Sequence, residues 1–162
     1  MTGDTDATNA VRLRAVEDGD LDVLFEYQAD PAAAAMAAFP SRDREQFDAH
    51  WAKLRLADSV VKRAILVDGV VAGDIGGWES DGDWLVGYWI GREHWGRGVA
   101  TRALALLLGE VPARPLRAHV AVHNAGSIRV LQKCGFQRDT VREAQAPEPE
   151  DGIEEFIFVL AE

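Results

Sequence analysis

A glycine-rich turn between a predicted strand and a predicted helix holds the residues best placed to bind a ligand. The strand ends near Ile90, the turn contains Gly96 and Gly98, and the helix begins near Val99. Glycines let backbone N–H groups approach a ligand without interference from a Cβ atom, and the first N–H groups of a helix lie unpaired at the positive end of its dipole. The turn therefore predicts a site for a phosphate or pyrophosphate.

Three kinds of nucleotide site have glycine-rich loops of this type, and the neighbouring residues distinguish between them. A P-loop needs a lysine directly before its Ser or Thr, but Ala100 precedes Thr101. A dinucleotide-binding unit needs a third small residue, where this chain has Thr101, and an acidic residue after the next strand, where it has His123 and Asn124. The third kind is an acyl-coenzyme A site.

Two segments of the chain resemble motifs of the GNAT superfamily of N-acetyltransferases. The segment Trp95-Gly96-Arg97-Gly98-Val99-Ala100 resembles its pyrophosphate-binding signature Q/R-x-x-G-x-G/A, with Trp95 in place of the usual Gln or Arg. The segment from Asn124 to Phe136 is similar to a second motif, in which an Asn begins a helix that ends in Gly-Phe. In detail, the chain is most similar to the branch containing the ribosomal-protein N-terminal alanine and serine acetyltransferases. That similarity is carried by Tyr88-Trp89-Ile90 before the loop, His94-Trp95-Gly96-Arg97-Gly98 within it, and Asn124-x-x-Ser127 with Lys133-Cys134-Gly135-Phe136 after it. The resemblance extends over roughly residues 10 to 162, with its best-defined motifs in 87 to 136.

The resemblance implies that acetyl-coenzyme A (acetyl-CoA) is the cosubstrate and that no metal takes part. In the fold of the superfamily, the strands ending near Ile90 and Val122 splay apart, the wedge between them holds the pantetheine arm, and the loop amides hold the pyrophosphate. The residues expected to contact acetyl-CoA are Ile90, Trp95, Gly96, Arg97, Gly98, Val99, Ala100, Thr101 and Asn124. For Asn124, the alternative is a role as a helix N-cap alone.

The implied reaction is attack of a neutral amine on the acetyl thioester, which gives a tetrahedral oxyanion that collapses to release coenzyme A. By resemblance, a backbone N–H near Ile90 or Gly91 stabilises the oxyanion. Many family members protonate the leaving thiolate with a Tyr seven residues after the motif Asn, a position held here by Leu131. Ser127, three residues after Asn124, is the best substitute, because a hydroxyl in the first helical turn can reach the sulfur directly or through water. The alternative is that Ser127 only helps to cap the helix.

A general base is needed to remove a proton from the acceptor amine. Glu79, which follows the central strand, is the leading candidate for a base or a water-positioning residue; the alternative is a solvated surface carboxylate. Weaker candidates are Asp74, Glu93, His94 and His119. An α-amino group has a reference pKa of about 8, so water would suffice as the base for such an acceptor.

The tryptophans and the cysteine have less specific roles. Four of the five tryptophans flank the predicted site, namely Trp78, Trp84, Trp89 and Trp95. They either wall the acceptor cleft or pack the central sheet and its edge. Cys134, the only cysteine, is expected in the core, and a lone cysteine excludes an intramolecular disulfide and any multi-cysteine metal site.

Composition and charge limit the class of protein. The 162 residues, 48% hydrophobic and 27% charged, fit one compact domain over 11–162, preceded by a polar, disordered tail at 1–10. No apolar run reaches the roughly 18 residues of a membrane span and the N-terminus lacks the features of a signal peptide, so we expect a cytoplasmic protein. A net charge of −10 argues against nonspecific binding to nucleic acid or anionic membranes; it suits a cationic acceptor or serves solubility alone.

The predicted elements follow the order β-α-α-β-β-β-α-β-α-β-β. Strands are predicted over 11–16, 62–67, 70–76, 84–90, 116–122, 137–143 and 155–160. The alanine-rich segment 31–40 is either a short helix or a mobile loop, because alanine favours a helix while prolines bracket the segment. The order matches a GNAT-like α/β (α+β) fold, with a mixed, mainly antiparallel sheet of about seven strands that is flanked by helices and splayed at its central strands.

These observations and the resemblance together predict an N-acetyltransferase that moves an acetyl group from acetyl-CoA to a primary amine by direct attack in a ternary complex. The predicted acceptor is the N-terminal α-amine of a peptide or protein. One alternative is a small amine, such as an amino acid, polyamine or antibiotic. Another is a catalytically silent acyl-CoA-binding module, because Leu131 replaces the usual Tyr. The predicted partners are acetyl-CoA and the amine, with no nucleic acid and no membrane, and the chain is a monomer or a homodimer.

Overall fold

The computed structural model describes residues 10–149 and 151–162. Apart from Ala10, the predicted N-terminal tail lies outside the described residues. Ala10 is tied to the sheet, because its carbonyl accepts from the Asp68 amide at 3.0 Å and its amide donates to the Asp68 carboxylate at 3.2 Å.

The described chain forms seven strands, six helices and two short 3₁₀ turns. The strands are β1 (Val11–Ala15), β2 (Val60–Val67), β3 (Val70–Ser80), β4 (Asp83–Ile90), β5 (Leu116–Ala121), β6 (Gln137–Arg138) and β7 (Glu155–Leu160). The helices are α1 (Leu21–Ala29), α2 (Pro31–Ala37), α3 (Arg44–Leu56), α4 (Val99–Glu110), α5 (Ala125–Lys133) and α6 (Thr140–Gln145). The 3₁₀ turns are Asp18–Asp20 and Arg92–His94. None of the described helices is long and apolar enough to cross a membrane.

The seven strands form one mixed sheet in the order β1-β2-β3-β4-β5-β7-β6. All neighbours are antiparallel except β4 and β5, which are parallel. This central pair is short: only Trp84 and Leu85 of β4 pair with Leu116 and Arg117 of β5, and the remaining residues of the two strands are unpaired with each other. The predicted fold class, a mainly antiparallel sheet splayed at its central strands, is confirmed.

Two tight turns set the order of the central strands. The β2–β3 turn has φ of 50° at Asp68 and 84° at Gly69, and the β3–β4 turn has φ of 51° at Asp81 and 84° at Gly82. Positive φ at both central residues is the geometry of the type I′ hairpin turn, which Asp-Gly favours. The two dipeptides therefore mark a local meander of β2, β3 and β4.

The sheet is covered on both faces. On one face, Ala103, Leu104 and Leu107 of α4 are fully buried in a cluster that also contains Leu131 of α5. On the other face, a second cluster forms around buried side chains of α1, α3 and β2, which are Leu24, Phe47, Trp51 and Ala64. Helices therefore pack against both faces of the sheet that contains the gap between β4 and β5.

The alanine-rich segment forms a helix. Asp30 is the N-cap of α2, since its carboxylate accepts from the Ala32 amide at 3.0 Å, and Pro31 occupies the first helical position. Proline suits this position, because its fixed φ is helical and its missing N–H would have no intrahelical partner. Of the two alternatives for residues 31–40, the structure has the short helix, which ends at Ala37.

The predicted strand over 137–143 is wrong beyond Arg138. The strand β6 contains only Gln137 and Arg138, and helix α6 follows at Thr140. Asp139 caps this helix by accepting from the Arg142 amide at 3.1 Å. The guanidinium of Arg142 reaches Asp83 at the start of β4, at 2.7 Å. A local cap and a long-range ion pair thus favour a helix over an extended strand.

Candidate active site

A cavity of about 600 Å³ opens where β4 and β5 separate. It forms because pairing between the two strands ends at Leu85 and Arg117, so the following backbone on each side diverges. Its lining comes from α2, the end of β4, the glycine-rich turn, the start of α4, the segment after β5 and one face of α5. The lining residues are Ala33, Met36, Ala37, Tyr88, Trp89, Ile90, His94, Trp95, Gly96, Gly98, Val99, Ala100, Thr101, His123, Asn124, Ala125, Gly126, Ser127, Arg129, Val130 and Lys133.

The glycine-rich turn brings the start of α4 to the cavity. Gly96 and Gly98 have φ of 75° and 74°, in a backbone region that residues other than glycine rarely adopt. The first intrahelical bond of α4 runs from the Arg102 amide to the Gly98 carbonyl, at 3.1 Å. Consequently, the amides of the three preceding residues, 99–101, have no intrahelical acceptor and are available to an anion.

Eight of the nine predicted acetyl-CoA contacts line this cavity, and the ninth, Arg97, is exposed beside it. Two basic residues that were not predicted from the sequence, Arg129 and Lys133, also line it. Their spacing of four residues places them on the same face of α5. This spacing in the sequence could have identified the pair. The two side chains add positive charge to a site whose geometry suits an anion.

Ile90, at the end of β4, directs its two backbone groups towards the gap. The Gly91 amide donates to the Ala72 carbonyl of β3 at 2.8 Å. Because successive amides of a strand point to opposite sides, the Ile90 N–H faces away from β3 and towards the gap. The indole N–H of Trp95 donates to the Ile90 carbonyl at 2.9 Å. Of the two predicted oxyanion donors, Gly91 is therefore engaged with β3, and Ile90 retains an N–H that faces the cavity.

The start of α5 positions two more of the predicted residues. Asn124 is the N-cap of α5, and its side-chain oxygen accepts from the Ser127 amide at 3.2 Å. Both residues line the cavity. Capping and ligand contact are thus compatible for Asn124, and the hydroxyl of Ser127 lies at the cavity wall.

Tyr88 is a site residue that was not predicted from the sequence. Its hydroxyl oxygen lies 2.6 Å from the Ser127 hydroxyl oxygen, and both side chains line the cavity. The pKa of Tyr88 is raised to about 12, because the effect of burial outweighs the hydrogen bond with Ser127, which acts to lower it. The alternation of residues along β4 could have indicated that Tyr88 faces inward, since it shares a face of the strand with buried Val86 and Ile90.

Leu131 does not reach the cavity. It is 1% exposed and belongs to the core cluster between α4, α5 and the sheet. A side chain at this position of α5 points into the apolar core, so a hydroxyl at position 131 would not face the cavity.

The far side of the cavity is bounded by α2 and Trp89. Ala33, Met36 and Ala37 of α2 line it, and Met36 is 38% exposed, so this side is open to solvent. His123, which follows β5, bridges to α2 through a 3.1 Å contact between its Nε2 atom and the Ala35 carbonyl. An acceptor entering from this side would meet a small, mostly apolar surface before it reached the gap.

Glu79 lies away from the cavity. It sits near the end of β3 opposite Trp84, at the paired end of β4, and does not line the cavity. Ile90 lies six residue steps after Trp84, which is about 20 Å along an extended strand. The structure therefore does not bring this carboxylate to the splayed end of the sheet.

Of the four weaker candidates for the general base, only His94 lines the cavity. Asp74 is ion-paired with Lys62 at 2.9 Å, and His119 lies 3.6 Å from Glu155. Asp74, Glu93 and His119 do not line the cavity, whereas His94 does. The buried Nδ1 atom of His94 has no hydrogen-bond partner among the described residues.

The tryptophans divide between the two predicted roles. Trp89 and Trp95 line the cavity. Trp84 packs against the core cluster, and Trp78 lies over Gly87, where a Cβ atom would approach its ring to 2.9 Å. Burial raises the pKa of the half-buried Cys134 thiol, consistent with its predicted place in the core. Among the described residues, no group of three or more His, Cys, Asp or Glu side chains could hold a metal ion.

Comparison with known proteins adds a family match. Residues 10–137 match the family model described as an acetyltransferase (GNAT) domain. A 61-residue stretch is 33% identical to the probable N-acetyltransferase YjcK of Bacillus subtilis (strain 168). That stretch covers 35% of this chain and 34% of YjcK, so the match spans about a third of the curated relative.

Solved structures share the fold over nearly the whole chain. Spermidine N-acetyltransferase from Vibrio cholerae, in complex with CoA and spermine, superposes with a TM-score of 0.79 at 16% identity, over 93% of this chain and 95% of that one. RimJ from Mycobacterium smegmatis, in complex with CoA-disulfide, superposes with a TM-score of 0.74 at 19% identity, over 95% of this chain and 83% of that one. At these identities the likeness concerns the fold.

Proposed function

This chain belongs to the GNAT acetyltransferase family, and we propose that it transfers the acetyl group of acetyl-CoA to the N-terminal α-amine of a peptide or protein. The observation that carries the proposal is a cavity that joins the amides at the start of α4 to the hydroxyl of Ser127. An N-acetyltransferase needs both features within reach of one thioester: an anion site to hold the nucleotide end of the donor, and a proton donor near the sulfur.

The donor side of the cavity fits acetyl-CoA in charge and shape. The amides of residues 99–101 suit a pyrophosphate, and the absence of a Cβ atom at Gly98 lets the phosphates approach the backbone. Arg129 and Lys133 add positive charge from α5. The unpaired edges of β4 and β5 offer backbone groups to the amides of a pantetheine arm.

The chemical step follows from the residues at the end of the gap. The amine nitrogen attacks the acetyl carbon, the C–N bond forms, and the carbonyl oxygen takes up negative charge. The Ile90 N–H, which faces the gap, stabilises that oxyanion. As the C–S bond breaks, Ser127 donates its hydroxyl proton to the sulfur, and the proton lost by the attacking nitrogen returns to Ser127 through water.

A peptide α-amine is supported by two observations. The α2 side of the cavity is open at Met36, which leaves room for a chain to extend into solvent. Within the described part of the chain, no carboxylate lines the cavity, and an α-amine, with a reference pKa of about 8, can lose its proton to water at neutral pH. The same branch of the superfamily that the motifs resemble acetylates ribosomal-protein N-termini.

A small polycation is the second candidate acceptor. The net charge of −10 favours cationic ligands, and the V. cholerae relative with the same fold was solved with CoA and spermine. A silent acyl-CoA-binding module is the remaining alternative, since Leu131 is in the core and leaves α5 without the usual phenol.

One experiment separates these functions. Calorimetry measures binding of acetyl-CoA, and release of free thiol is then followed with peptides bearing a free Ala or Ser N-terminus. The matched controls are the same peptides with a blocked α-amine, and spermidine is the third acceptor. We expect release with the free peptides alone. Release with spermidine alone would favour the small-amine function, binding without release would favour the silent module, and no binding would refute the proposal.

A further inference from the structure

We propose that Tyr88 is a positioning residue for Ser127: its phenol donates a hydrogen bond to the Ser127 hydroxyl and directs the hydrogen of that hydroxyl into the cavity. This inference rests on the proposed function, because it assigns the orientation of the group that protonates the leaving thiolate.

The geometry of the two hydroxyls supports the assignment. Their oxygens are 2.6 Å apart, at the short end of the range for O–H···O hydrogen bonds. The other oxygen near the phenol, the Ser127 backbone carbonyl, is 3.5 Å away, at the limit of a hydrogen bond. Among the described residues, both hydrogen-bond partners of the phenol therefore belong to Ser127, and the hydroxyl is much the closer.

The chemistry of the pair decides which oxygen donates. A phenol, with a reference pKa of about 10, is far more acidic than an aliphatic hydroxyl, so it is the better donor. When Tyr88 donates, the Ser127 oxygen accepts and the Ser127 hydrogen is free to rotate towards the cavity. If Ser127 donated to Tyr88 instead, its hydrogen would point into the protein and would be lost to the thiolate.

The fold explains why this residue comes from a strand. Position 131 of α5 is buried in the core, so a phenol there would not face the cavity. Tyr88 lies on β4, two residues before Ile90, and its side chain reaches across the gap to the first turn of α5. The end of one strand thus bears both the amide that faces the developing oxyanion and the phenol that orients the serine.

The proton balance assigns distinct roles to the two hydroxyls. When the C–S bond breaks, the sulfur leaves with the bonding electron pair and takes the proton of the Ser127 hydroxyl. In the same step the Ser127 oxygen takes up, through water, the proton that the amine nitrogen loses, so no free alkoxide forms on Ser127. Tyr88 keeps its own proton, and its hydrogen bond stabilises the partial negative charge that the Ser127 oxygen carries during the transfer. The burial that raises the pKa of Tyr88 agrees with this, since it favours the protonated phenol.

The test uses Tyr88→Phe, Ser127→Ala and the double variant in the full chain. General acids contribute at least about a hundredfold, so we expect Ser127→Ala to lower kcat about a hundredfold. Tyr88→Phe should lower kcat about tenfold with the dissociation constant of acetyl-CoA unchanged. The double variant should match Ser127→Ala, because Tyr88 acts only through Ser127; effects that multiply would show an independent, structural role and overturn the inference.

Tyr27→Phe is the matched control, since it removes the only other tyrosine hydroxyl in the chain. The Tyr27 hydroxyl donates to the Val71 carbonyl at 2.8 Å and does not line the cavity, so kcat should stay within twofold of wild type. Wild-type thiol release tests the proposed function separately. If wild type is active and Tyr88→Phe equals it, only the role of Tyr88 is refuted; if wild type releases no thiol with any acceptor, the proposed function fails first.

A second measurement does not depend on how Tyr88→Phe folds. In the Tyr27→Phe chain, Tyr88 is the single remaining tyrosine, so the hydroxyl proton of a ¹³C-labelled tyrosine reports on it alone. We expect a slowly exchanging hydroxyl resonance that Ser127→Ala shifts or broadens. A resonance that is unchanged by Ser127→Ala would show that the two hydroxyls do not share a hydrogen bond.

Discussion

The substitution Gly98→Ala tests whether the turn before α4 holds the nucleotide end of the donor. Gly98 has φ of 74°, and a Cβ atom there would meet only the Arg102 side chain, at 3.9 Å. The cost to folding is therefore conformational, about 1–2 kcal/mol for a side chain in the left-handed region, or roughly 2–8 °C in Tm for a chain of this size. Gly98 lines the cavity next to the amides of residues 99–101, so an added methyl group would compete with a phosphate for space there. Loss of one hydrogen bond to a charged phosphate, about 1.5–3 kcal/mol, weakens acetyl-CoA binding by roughly 10- to 150-fold.

Gly69→Ala is the matched control for this substitution. Gly69 has φ of 84°, a Cβ atom added there would meet nothing within 4 Å, and the residue belongs to the β2–β3 turn, away from the cavity. Thermal unfolding and calorimetric titration with acetyl-CoA are measured on both variants. We expect similar losses of Tm and a weaker dissociation constant for Gly98→Ala alone. Equal dissociation constants for the two variants would refute the assignment of the pyrophosphate to this turn.

Three further predictions concern residues outside the donor site. Leu131→Tyr overpacks a core position that is 1% exposed, so it should cost about 1–3 kcal/mol in denaturant unfolding and leave turnover no higher; higher turnover would show that a phenol at this position reaches the donor. Glu79→Gln should leave kcat within twofold of wild type, and a larger loss would place the acceptor at the paired end of β4. The hydrogen bond from Arg14 lowers the pKa of buried Asp20, so this carboxylate stabilises the fold above its unfolded pKa of about 3.9 and the contribution is lost as the pH falls through the lower folded value. Asp20→Asn should flatten this acid-side loss in denaturant unfolding at pH 2–5, whereas an unchanged slope would assign the loss to other groups.

The local signals in the sequence account for most of the fold. The hairpin turns at Asp68-Gly69 and Asp81-Gly82 depend on backbone preferences of adjacent residues, which a sequence shows directly. The strand predicted over 137–143 failed for a different reason. Its helix is held by Arg142, which pairs with Asp83, 59 positions earlier in the chain, and such a contact leaves no local pattern.

In the candidate site too, the features formed by adjacent residues could be predicted from the sequence, and those formed by distant residues could not. The turn at Gly98 and the cap at Asn124 are motifs of adjacent residues, and both line the cavity. The contact between Tyr88 and Ser127 joins residues 39 positions apart, and it exists only because β4 and α5 meet across the gap. Glu79 has the chemistry of a base and follows a strand, but position along the chain does not show at which end of the sheet a residue lies.

Locating the transferred acetyl group tests the central claim most directly. The protein is incubated with acetyl-CoA and a peptide that carries a free N-terminal Ala and an internal Lys, and the product is sequenced by mass spectrometry. We predict an acetyl group on the α-nitrogen and an unmodified lysine side chain. Acetylation of the lysine alone would contradict the proposed acceptor, and an unmodified peptide, in a sample shown to bind acetyl-CoA, would contradict the transfer itself.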